Sequence, residues 1–156
     1  MPRRRLRPPF AKRRSGIHGH GVFATRRIRT GQILISYVGQ SLTKAEARER
    51  YSDDDGDDPY TLLFHLGGDR YIDAAVDGND ARFINHSCEP NCEAINDRKR
   101  IFIEAIKTIP AGTELVYDYQ YERTDDHTAD DEKFYRCRCG SPKCRGTILA
   151  PVVTKG

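Results

Sequence analysis

The chain has 156 residues, a net charge of +3, and a composition of 37% hydrophobic and 9% aromatic residues. That length suits one domain with a buried core, and the composition is too apolar for a disordered chain. No apolar run approaches the roughly 18 residues of a membrane span, and none follows the basic N-terminus as in a secretory signal. The sequence therefore predicts an intracellular protein with no membrane partner.

The positive charge is concentrated at the N-terminus, because residues 1–14 contain seven basic residues and no acid. Removing those seven from the 26 basic residues leaves 19 against 23 acidic residues, so the remainder is near −4. Pro2, Pro8 and Pro9 discourage a helix, and we predict a flexible basic arm. Such an arm either aids solubility or contacts nucleic acid, which makes nucleic acid one expected partner.

Short apolar runs bounded by turn-forming residues predict strands, at residues 21–24, 33–35, 37–39, 60–66, 71–72, 92–95, 100–105 and 114–119. Residues 67–69 and the pair Asn96-Asp97 are the predicted turns of two hairpins. Thr43 and Glu46 form a capping box that begins a helix running to Tyr51. Strands do not alternate with long helices, so the predicted fold class is mostly β, a β-rich α+β domain with few short helices.

The cysteines predict a metal site. Five are present, an odd number for disulfide pairing: Cys88, Cys92, Cys137, Cys139 and Cys144. In a reducing compartment, clustered cysteines indicate metal binding or catalysis. Zinc takes four tetrahedral ligands and favours thiolates, so the three C-terminal cysteines need a fourth ligand from elsewhere. Cys88 and Cys92 are the candidates, and the histidines are weaker ones.

The run from Arg82 to Cys92 is more polar than a plain strand requires, and two further segments accompany it in the chain: His18-Gly19-His20-Gly21 upstream and the run from Glu114 to Tyr119 downstream. A cysteine nucleophile with a histidine base is disfavoured, because adjacent side chains of Asn-His-Ser-Cys rarely face one another. Together with Tyr37-Val38-Gly39 and the cysteine-rich tail, these segments resemble the SET-domain family of protein lysine methyltransferases. The resemblance extends over about residues 15 to 149.

The resemblance implies a SET fold, in which small curved sheets surround a pseudoknot. The SET domain would span residues 15–122, and a post-SET zinc-binding tail would span residues 123–156. The implied reaction transfers a methyl group from S-adenosylmethionine to the ε-amine of lysine in a basic protein such as a histone. One structural zinc ion is implied as well. The protein would be cytoplasmic in a bacterium and nuclear or chromosomal in a eukaryote.

The resemblance also assigns roles to individual residues. The implied cofactor-binding residues are His18, Gly19, His20, Gly21, Tyr37, Arg82, Asn85 and His86. The implied catalytic residues, which line the lysine channel, are Tyr60, Tyr117 and Tyr119. The implied zinc ligands are Cys88, Cys137, Cys139 and Cys144, an assignment that leaves Cys92 free.

The chemistry of methyl transfer is consistent with these residue types. The nucleophile must be a neutral amine, whereas a free lysine has a pKa of about 10.4. An apolar channel lined by tyrosines, beside a cationic sulfonium, lowers that pKa through desolvation and charge repulsion. Family members carry phenylalanine or tyrosine at the position of Tyr117, and tyrosine there implies mainly monomethylation. Acidic runs at residues 53–58 and 125–132 predict attraction of a basic peptide.

Two alternatives from other functional classes stay open at this point. One is a catalytically silent SET domain that binds methyl-lysine or serves as a scaffold. The other is a zinc-dependent nucleic-acid module that uses the basic arm, although it leaves the three ordered motifs unexplained.

Overall fold

Strands dominate the regular structure. The computed structural model describes residues 7–17, 19–51, 63–119 and 136–148. In these ranges the elements are, in chain order, β1 (Phe10–Arg14), β2 (His20–Ala24), β3 (Ile33–Tyr37), β4 (Gln40–Thr43), α1 (Lys44–Tyr51), β5 (Leu63–Gly67), β6 (Arg70–Asp73), a 3₁₀ helix (Asp80–Phe83), β7 (Asn85–His86), β8 (Cys92–Asp97), β9 (Arg100–Ala105) and β10 (Glu114–Tyr117). The predicted β-rich fold class is confirmed.

The strands of the described residues form two sheets. The larger sheet has the order β1-β2-β10-β8-β9-β3, with β7 beside β10, and the smaller one has the order β4-β6-β5. Strand β9 buries alternate side chains, as the two-residue period of a strand requires. Those of Ile101 and Ile103 join Ile28, Ile109 and Leu115 in the core, where each is at most 1% exposed.

Strand β10 lies at the centre of the larger sheet. It pairs antiparallel with β2 through Leu115 and Val22. It also pairs parallel with β7, where Val116 lies opposite Asn85 and Tyr117 lies opposite His86. Two of the three motifs of the sequence thus meet along one strand pair, which is the contact on which the predicted pseudoknot depends.

The predicted helix and its capping box are confirmed. The Glu46 N–H donates to Thr43 Oγ1 and the Thr43 N–H donates to Glu46 Oε1, both at 3.2 Å. Arg50 anchors the helix through a 2.9 Å ion pair with the buried carboxylate of Asp73. None of the helices in the described ranges has the length and apolar character needed to cross a membrane.

The predicted flexible arm is wrong for Phe10–Arg14, which form β1. This strand pairs with β2 from Phe10 opposite Ala24 to Arg14 opposite His20. Phe10 is 8% exposed and belongs to the core cluster, so its burial and the backbone pairing order a segment whose charge suggested disorder. Residues 1–6 lie outside the described residues, and the nucleic-acid contact of residues 1–14 stays a prediction.

The turn of the β8–β9 hairpin lies two residues beyond its predicted position. The hairpin turns at Arg98 and Lys99, which have φ values of 52° and 65°; positive φ at both central residues defines a type I′ turn. Asn96 contributes through its side chain instead, because its Oδ1 accepts the Lys99 N–H at 3.0 Å and its Nδ2 donates to the Leu66 carbonyl at 2.9 Å. The preference of asparagine for turns was recognised correctly, but its position in the turn was not.

Candidate active site

Asn85 joins the N-terminal glycine turn to β10. Its Nδ2 donates to the His20 carbonyl at 3.0 Å and to Glu114 Oε2 at 2.9 Å. The Glu114 carboxylate also accepts the Ser15 hydroxyl at 2.8 Å. Glu114 therefore organises the predicted cofactor-binding segment, a role that the sequence analysis missed. The sequence signal for this role was that Glu114 is the first residue of the Glu-Leu-x-x-Asp-Tyr run.

Gly21 leaves room for this arrangement: a Cβ at that position would lie 2.5 Å from Glu114 Oε2 and 3.1 Å from the Ser15 Cβ, so the Glu114 carboxylate would have to shift away from Ser15 and Asn85. Replacing Gly21 with alanine is expected to lower the free energy of unfolding by about 1–3 kcal/mol, as is typical of overpacking. Denaturant unfolding measures this. Gly16→Ala is the matched control, since an added Cβ there meets nothing within 4 Å. Equal effects of the two substitutions would contradict the close approach.

The Phe83 ring carries a cluster of basic side chains. The Lys12 Nζ lies 4.5 Å from the ring centroid and the Arg82 Cζ lies 4.7 Å from it, while the His20 ring meets Phe83 edge-on at 6.1 Å. The Nε of Arg82 is buried and has no hydrogen-bond partner among the described residues. A buried donor left without an acceptor costs about 1–3 kcal/mol, so this place favours a ligand with an acceptor such as a carboxylate. The donor set therefore fits S-adenosylmethionine, whose methionine part carries one.

Tyr117 and Tyr119 form an aromatic wall with Phe64. The two tyrosine rings are 4.9 Å apart between centroids and tilted by 50°. They line a cavity of about 500 Å³ to which Glu93 and Asp118 add carboxylates. The Tyr119 hydroxyl donates to the carbonyl of Ile84. An aromatic wall with carboxylates nearby suits a side chain with an aliphatic stem and a basic head, such as lysine.

Tyr37 lies at the end of β3, opposite Ile101. Its ring packs against Phe64 with a centroid distance of 5.1 Å, which links it to the tyrosine cavity. It also lines a second cavity, of about 700 Å³, together with Arg70 and Lys99. The predicted contact of Tyr37 with the cofactor stays a prediction.

Two predicted site residues, His18 and Tyr60, lie outside the described residues. Of the others, the structure brings the glycine turn against Asn85 and brings His86 against Tyr119. The cofactor-binding and catalytic residues predicted from separate motifs therefore adjoin one another across β7.

His86 is fully buried beside Tyr119. The Tyr119 N–H donates to His86 Nδ1 at 3.0 Å, and the His86 Nε2 lies 3.5 Å from Cys88 Sγ. Burial lowers the pKa of His86 to about 4; the Asp118 carboxylate opposes this shift and Arg145 adds to it. The ring is therefore neutral at neutral pH.

Arg145 ties the C-terminal tail to the Tyr-Asp-Tyr run. Its guanidinium donates to both carboxylate oxygens of Asp118, at 2.7 and 3.0 Å. These hydrogen bonds raise the pKa of Arg145 above its ordinary value. Its backbone N–H donates to Cys88 Sγ at 3.3 Å. The same residue thus contacts a carboxylate of the tyrosine cavity and a thiol of the cysteine cluster.

The four predicted metal ligands converge. The sulfur atoms of Cys88, Cys137, Cys139 and Cys144 all lie within 4.8 Å of one another. Cys88 Sγ is 3.7 Å from Cys137 Sγ and 3.9 Å from Cys144 Sγ. Zinc–sulfur bonds of about 2.3 Å in a tetrahedron place the sulfurs about 3.8 Å apart, so the cluster fits zinc. Cys92 is buried in β8 and lies outside this group.

Burial opposes ionisation of two thiols of the cluster, whereas hydrogen bonds favour it in a third. Burial raises the pKa of Cys88 and of Cys137. Burial also acts to raise the pKa of Cys139, but the backbone N–H groups of Cys88 and Ser141 outweigh it, together with the neighbouring thiols, and lower that pKa to about 7. One thiol therefore ionises near neutral pH before its neighbours, and metal binding would displace the remaining protons.

Asn91 is a further residue that the sequence analysis missed. Its Nδ2 donates to the Glu114 carbonyl at 2.9 Å, and its Oδ1 accepts the Val116 N–H at 2.9 Å. The side-chain amide thus takes the place of a peptide group beside β10. Its position between Pro90 and Cys92 indicated only a turn.

The chain is similar to known proteins over most of its length. The SET domain matches residues 19–120. The chain is 42% identical over 138 residues to a Drosophila virilis protein named histone-lysine N-methyltransferase trithorax, covering 85% of this chain and 3% of that protein. It is 40% identical over 147 residues to a Saccharomyces cerevisiae protein named histone-lysine N-methyltransferase, H3 lysine-4 specific, covering 90% of this chain and 13% of that protein. A Mycosarcoma maydis protein of the same name is 42% identical over 142 residues, covering 87% and 9%.

The chain thus spans only a small part of the length of these relatives. The matched range nevertheless contains most of the site. Gly19, the strand β7 and the strand β10 all fall within it, and they are the parts that meet in the structure. Because residues 19–120 match the SET domain and form this common site, the chain belongs to the SET-domain family.

Proposed function

We propose that the chain transfers a methyl group from S-adenosylmethionine to the ε-amine of a lysine in a basic protein. The observation that carries this proposal is the aromatic cavity lined by Tyr117 and Tyr119, which adjoins the Asn85–His86 strand. The similarity to enzymes named for histone-lysine methylation supports it further.

Cofactor binding is assigned to the segment around Asn85. The buried Nε–H of Arg82 offers a donor to an acceptor group of the ligand, and the glycine turn offers backbone groups held in place by Asn85 and Glu114. When bound, S-adenosylmethionine supplies a methyl group on a sulfonium, which is electrophilic. The cofactor-binding roles predicted for His18 and Tyr37 remain part of this proposal.

The aromatic cavity prepares the lysine. Its tyrosine and phenylalanine walls exclude water and disfavour the charged ammonium, so the amine reaches its neutral, nucleophilic form more readily. Tyr119 is held at its hydroxyl by the Ile84 carbonyl and at its backbone N–H by His86, which fixes the wall of the channel. Rate acceleration then comes chiefly from alignment of amine and methyl group.

The substrate is proposed to be a basic protein, and a histone tail in particular. Glu93 places a carboxylate at the cavity, and carboxylates attract lysine-rich and arginine-rich segments, whereas the Asp118 carboxylate is already paired with Arg145. The acidic runs predicted to add to this attraction lie outside the described residues. The named relatives come from fungi and a fly and are named for histone lysine, so a nuclear location is favoured over the bacterial cytoplasm.

The four clustered cysteines, Cys88, Cys137, Cys139 and Cys144, are proposed to hold one structural zinc ion. The ion would have a structural and not a catalytic role, because four thiolates leave no coordination position open for substrate. The ion would order residues 136–148, whose only strand-like pairing among the described residues is the bridge between Arg136 and Thr147. This supports the proposed division into a SET domain and a post-SET tail.

Tyr117 is proposed to restrict the reaction mainly to monomethylation. Its side chain is 5% exposed and packs against Tyr119, so removal of the hydroxyl enlarges the channel where a methylated amine must turn. Tyr117→Phe is expected to raise the share of dimethyl and trimethyl product. Mass spectrometry of a lysine peptide measures that share. A product distribution equal to that of the unaltered chain would refute the assignment.

The activity is tested by incubating the chain with methyl-labelled S-adenosylmethionine and purified histones. Transfer of label to a histone H3 lysine is expected, and a histone whose lysines are blocked by acetylation is the control. A domain that only binds methyl-lysine would transfer no label while still retaining a trimethyl-lysine peptide. A nucleic-acid module would transfer no label and would shift DNA or RNA in a gel. Either result would contradict the proposed function.

A further inference from the structure

We propose that the His86 side chain is a positioning residue that links the cysteine cluster to Tyr119, with each ring nitrogen making one hydrogen bond. The inference deepens the proposed function, because it assigns how the metal site and the lysine channel are coupled. This role belongs to the imidazole ring of His86 and is additional to the cofactor binding predicted for that residue.

The hydrogen-bond partners determine which nitrogen carries the proton. The backbone N–H of Tyr119 points at His86 Nδ1 from 3.0 Å. An amide N–H can only donate, so Nδ1 must be the acceptor. A ring nitrogen that accepts a hydrogen bond carries no proton, so the N–H of the ring is on Nε2. That nitrogen lies 3.5 Å from Cys88 Sγ, and a thiolate sulfur accepts such a bond.

The two contacts on Tyr119 come from one short segment. Ile84 accepts its hydroxyl through the backbone carbonyl, and His86 accepts its backbone N–H through the ring. The His86 ring also meets the Tyr119 ring edge-on at 5.3 Å. Tyr119 is thus held at both ends by residues flanking or within β7. A displacement of the His86 ring would be transmitted directly to the tyrosine.

At the metal site, His86 is the hydrogen-bond partner of the proposed ligand Cys88. Hydrogen bonds to metal-bound groups orient those ligands, and their loss costs about 10- to 100-fold in metal affinity. A second connection joins the cluster to the residues after β10. The Arg145 N–H donates to Cys88 Sγ, and the Arg145 guanidinium donates to Asp118. Cys88 is therefore the shared end of both connections to the Tyr-Asp-Tyr run.

Two amide substitutions separate the two hydrogen bonds of His86. In His86→Asn, the amide oxygen replaces the Nδ1 acceptor for Tyr119 and no donor reaches Cys88. In His86→Gln, the amide nitrogen replaces the Nε2 donor to Cys88 and the acceptor for Tyr119 is lost. We expect zinc affinity, measured by chelator competition, to fall more in His86→Asn, by about 10- to 100-fold. We expect kcat to fall more in His86→Gln, with KM for the lysine peptide changing less than kcat.

This crossed pattern is the decisive outcome, because a purely structural role of a buried histidine predicts parallel losses in both variants. Cobalt substitution gives a second readout, since the sulfur-to-cobalt charge-transfer band should shift in His86→Asn and not in His86→Gln. Parallel losses, or equal bands, would overturn the proposal.

Nitrogen NMR of the unaltered, zinc-loaded chain tests the same link without any substitution. We expect a proton on His86 Nε2 and a coupling between His86 Nδ1 and the Tyr119 amide nitrogen across their hydrogen bond. A proton on Nδ1 would overturn the inference even if both variants failed to fold. If the chain transferred no methyl group, the proposed function would fail, whereas the NMR and metal readouts would still test the link.

Discussion

Replacing Tyr119 with phenylalanine is expected to lower kcat by on the order of 100-fold, the effect of a misplaced catalytic group. The hydroxyl that is removed donates to the Ile84 carbonyl, so its loss frees one end of the ring that lines the lysine channel. The loss leaves the Ile84 carbonyl without this donor and changes the shape of the cavity. Affinity for S-adenosylmethionine should change much less, because Ile84, the partner of the removed hydroxyl, is not among the residues assigned to the cofactor.

The measurement is a steady-state assay that separates kcat from KM, together with a thermal unfolding curve for each variant. Tyr71→Phe is the matched control: Tyr71 lies on β6, stacked on His65 at 4.5 Å, and does not line the tyrosine cavity. A similar loss in both variants would indicate a general effect of removing a tyrosine hydroxyl. Full activity of Tyr119→Phe would remove Tyr119 from the catalytic assignment.

Replacing Cys88 with serine is expected to abolish stoichiometric zinc binding and to release residues 136–148 from the domain. Cys88 follows strand β7, and the other three cysteines of the cluster belong to the tail. Structural zinc sites contribute about 10–16 kcal/mol of apparent binding free energy, which exceeds what the Arg145–Asp118 ion pair and the single bridge of this segment supply. The Cys88→Ser substitution also removes the sulfur contacted by Arg145 and His86, so methyl transfer should fall together with zinc content.

Metal analysis by mass spectrometry and hydrogen exchange over residues 136–148 measure the two effects. Cys92→Ala is the control, since Cys92 is buried in β8 outside the cluster and the variant should retain one zinc ion. Burial raises the pKa of Cys92 to about 12, as it raises that of Cys137, so it is the position of Cys92 outside the cluster that makes it the control. A Cys88→Ser variant that keeps one zinc ion would show that Cys92 or a histidine is the fourth ligand.

The elements that depend on neighbouring residues were predicted well. The helix begins at a capping box whose two members, Thr43 and Glu46, are three residues apart. The strands at 21–24 and 100–105 follow from local runs of apolar and β-branched residues, and the structure confirms both. The three C-terminal cysteines lie close in sequence, which predicted a shared metal ion, and the structure brings their sulfur atoms together.

The choice between Cys88 and Cys92 could not be made from spacing, because both lie far from the tail in sequence. The structure distinguishes them: Cys92 begins β8 opposite Tyr117 and Ala105, whereas Cys88 lies in the preceding loop, within reach of the tail. The strand β1 was missed for a related reason. Its basic side chains suggested disorder, and only the burial of Phe10 and the pairing with β2 order it.

The sequence by itself determined the β-rich class, the helix and the three motifs that resemble a SET domain, because these depend on local order and residue type. Tertiary structure alone decided how the motifs are connected. Ser15 and Glu114 are 99 residues apart, yet they share a hydrogen bond under the glycine turn, and Asn91 replaces a peptide group beside β10. His86 and Cys88 belong to one motif, but the Tyr119 N–H reaches the His86 ring only because the end of β10 packs beside β7. Such contacts depend on packing between distant segments, which no local pattern encodes.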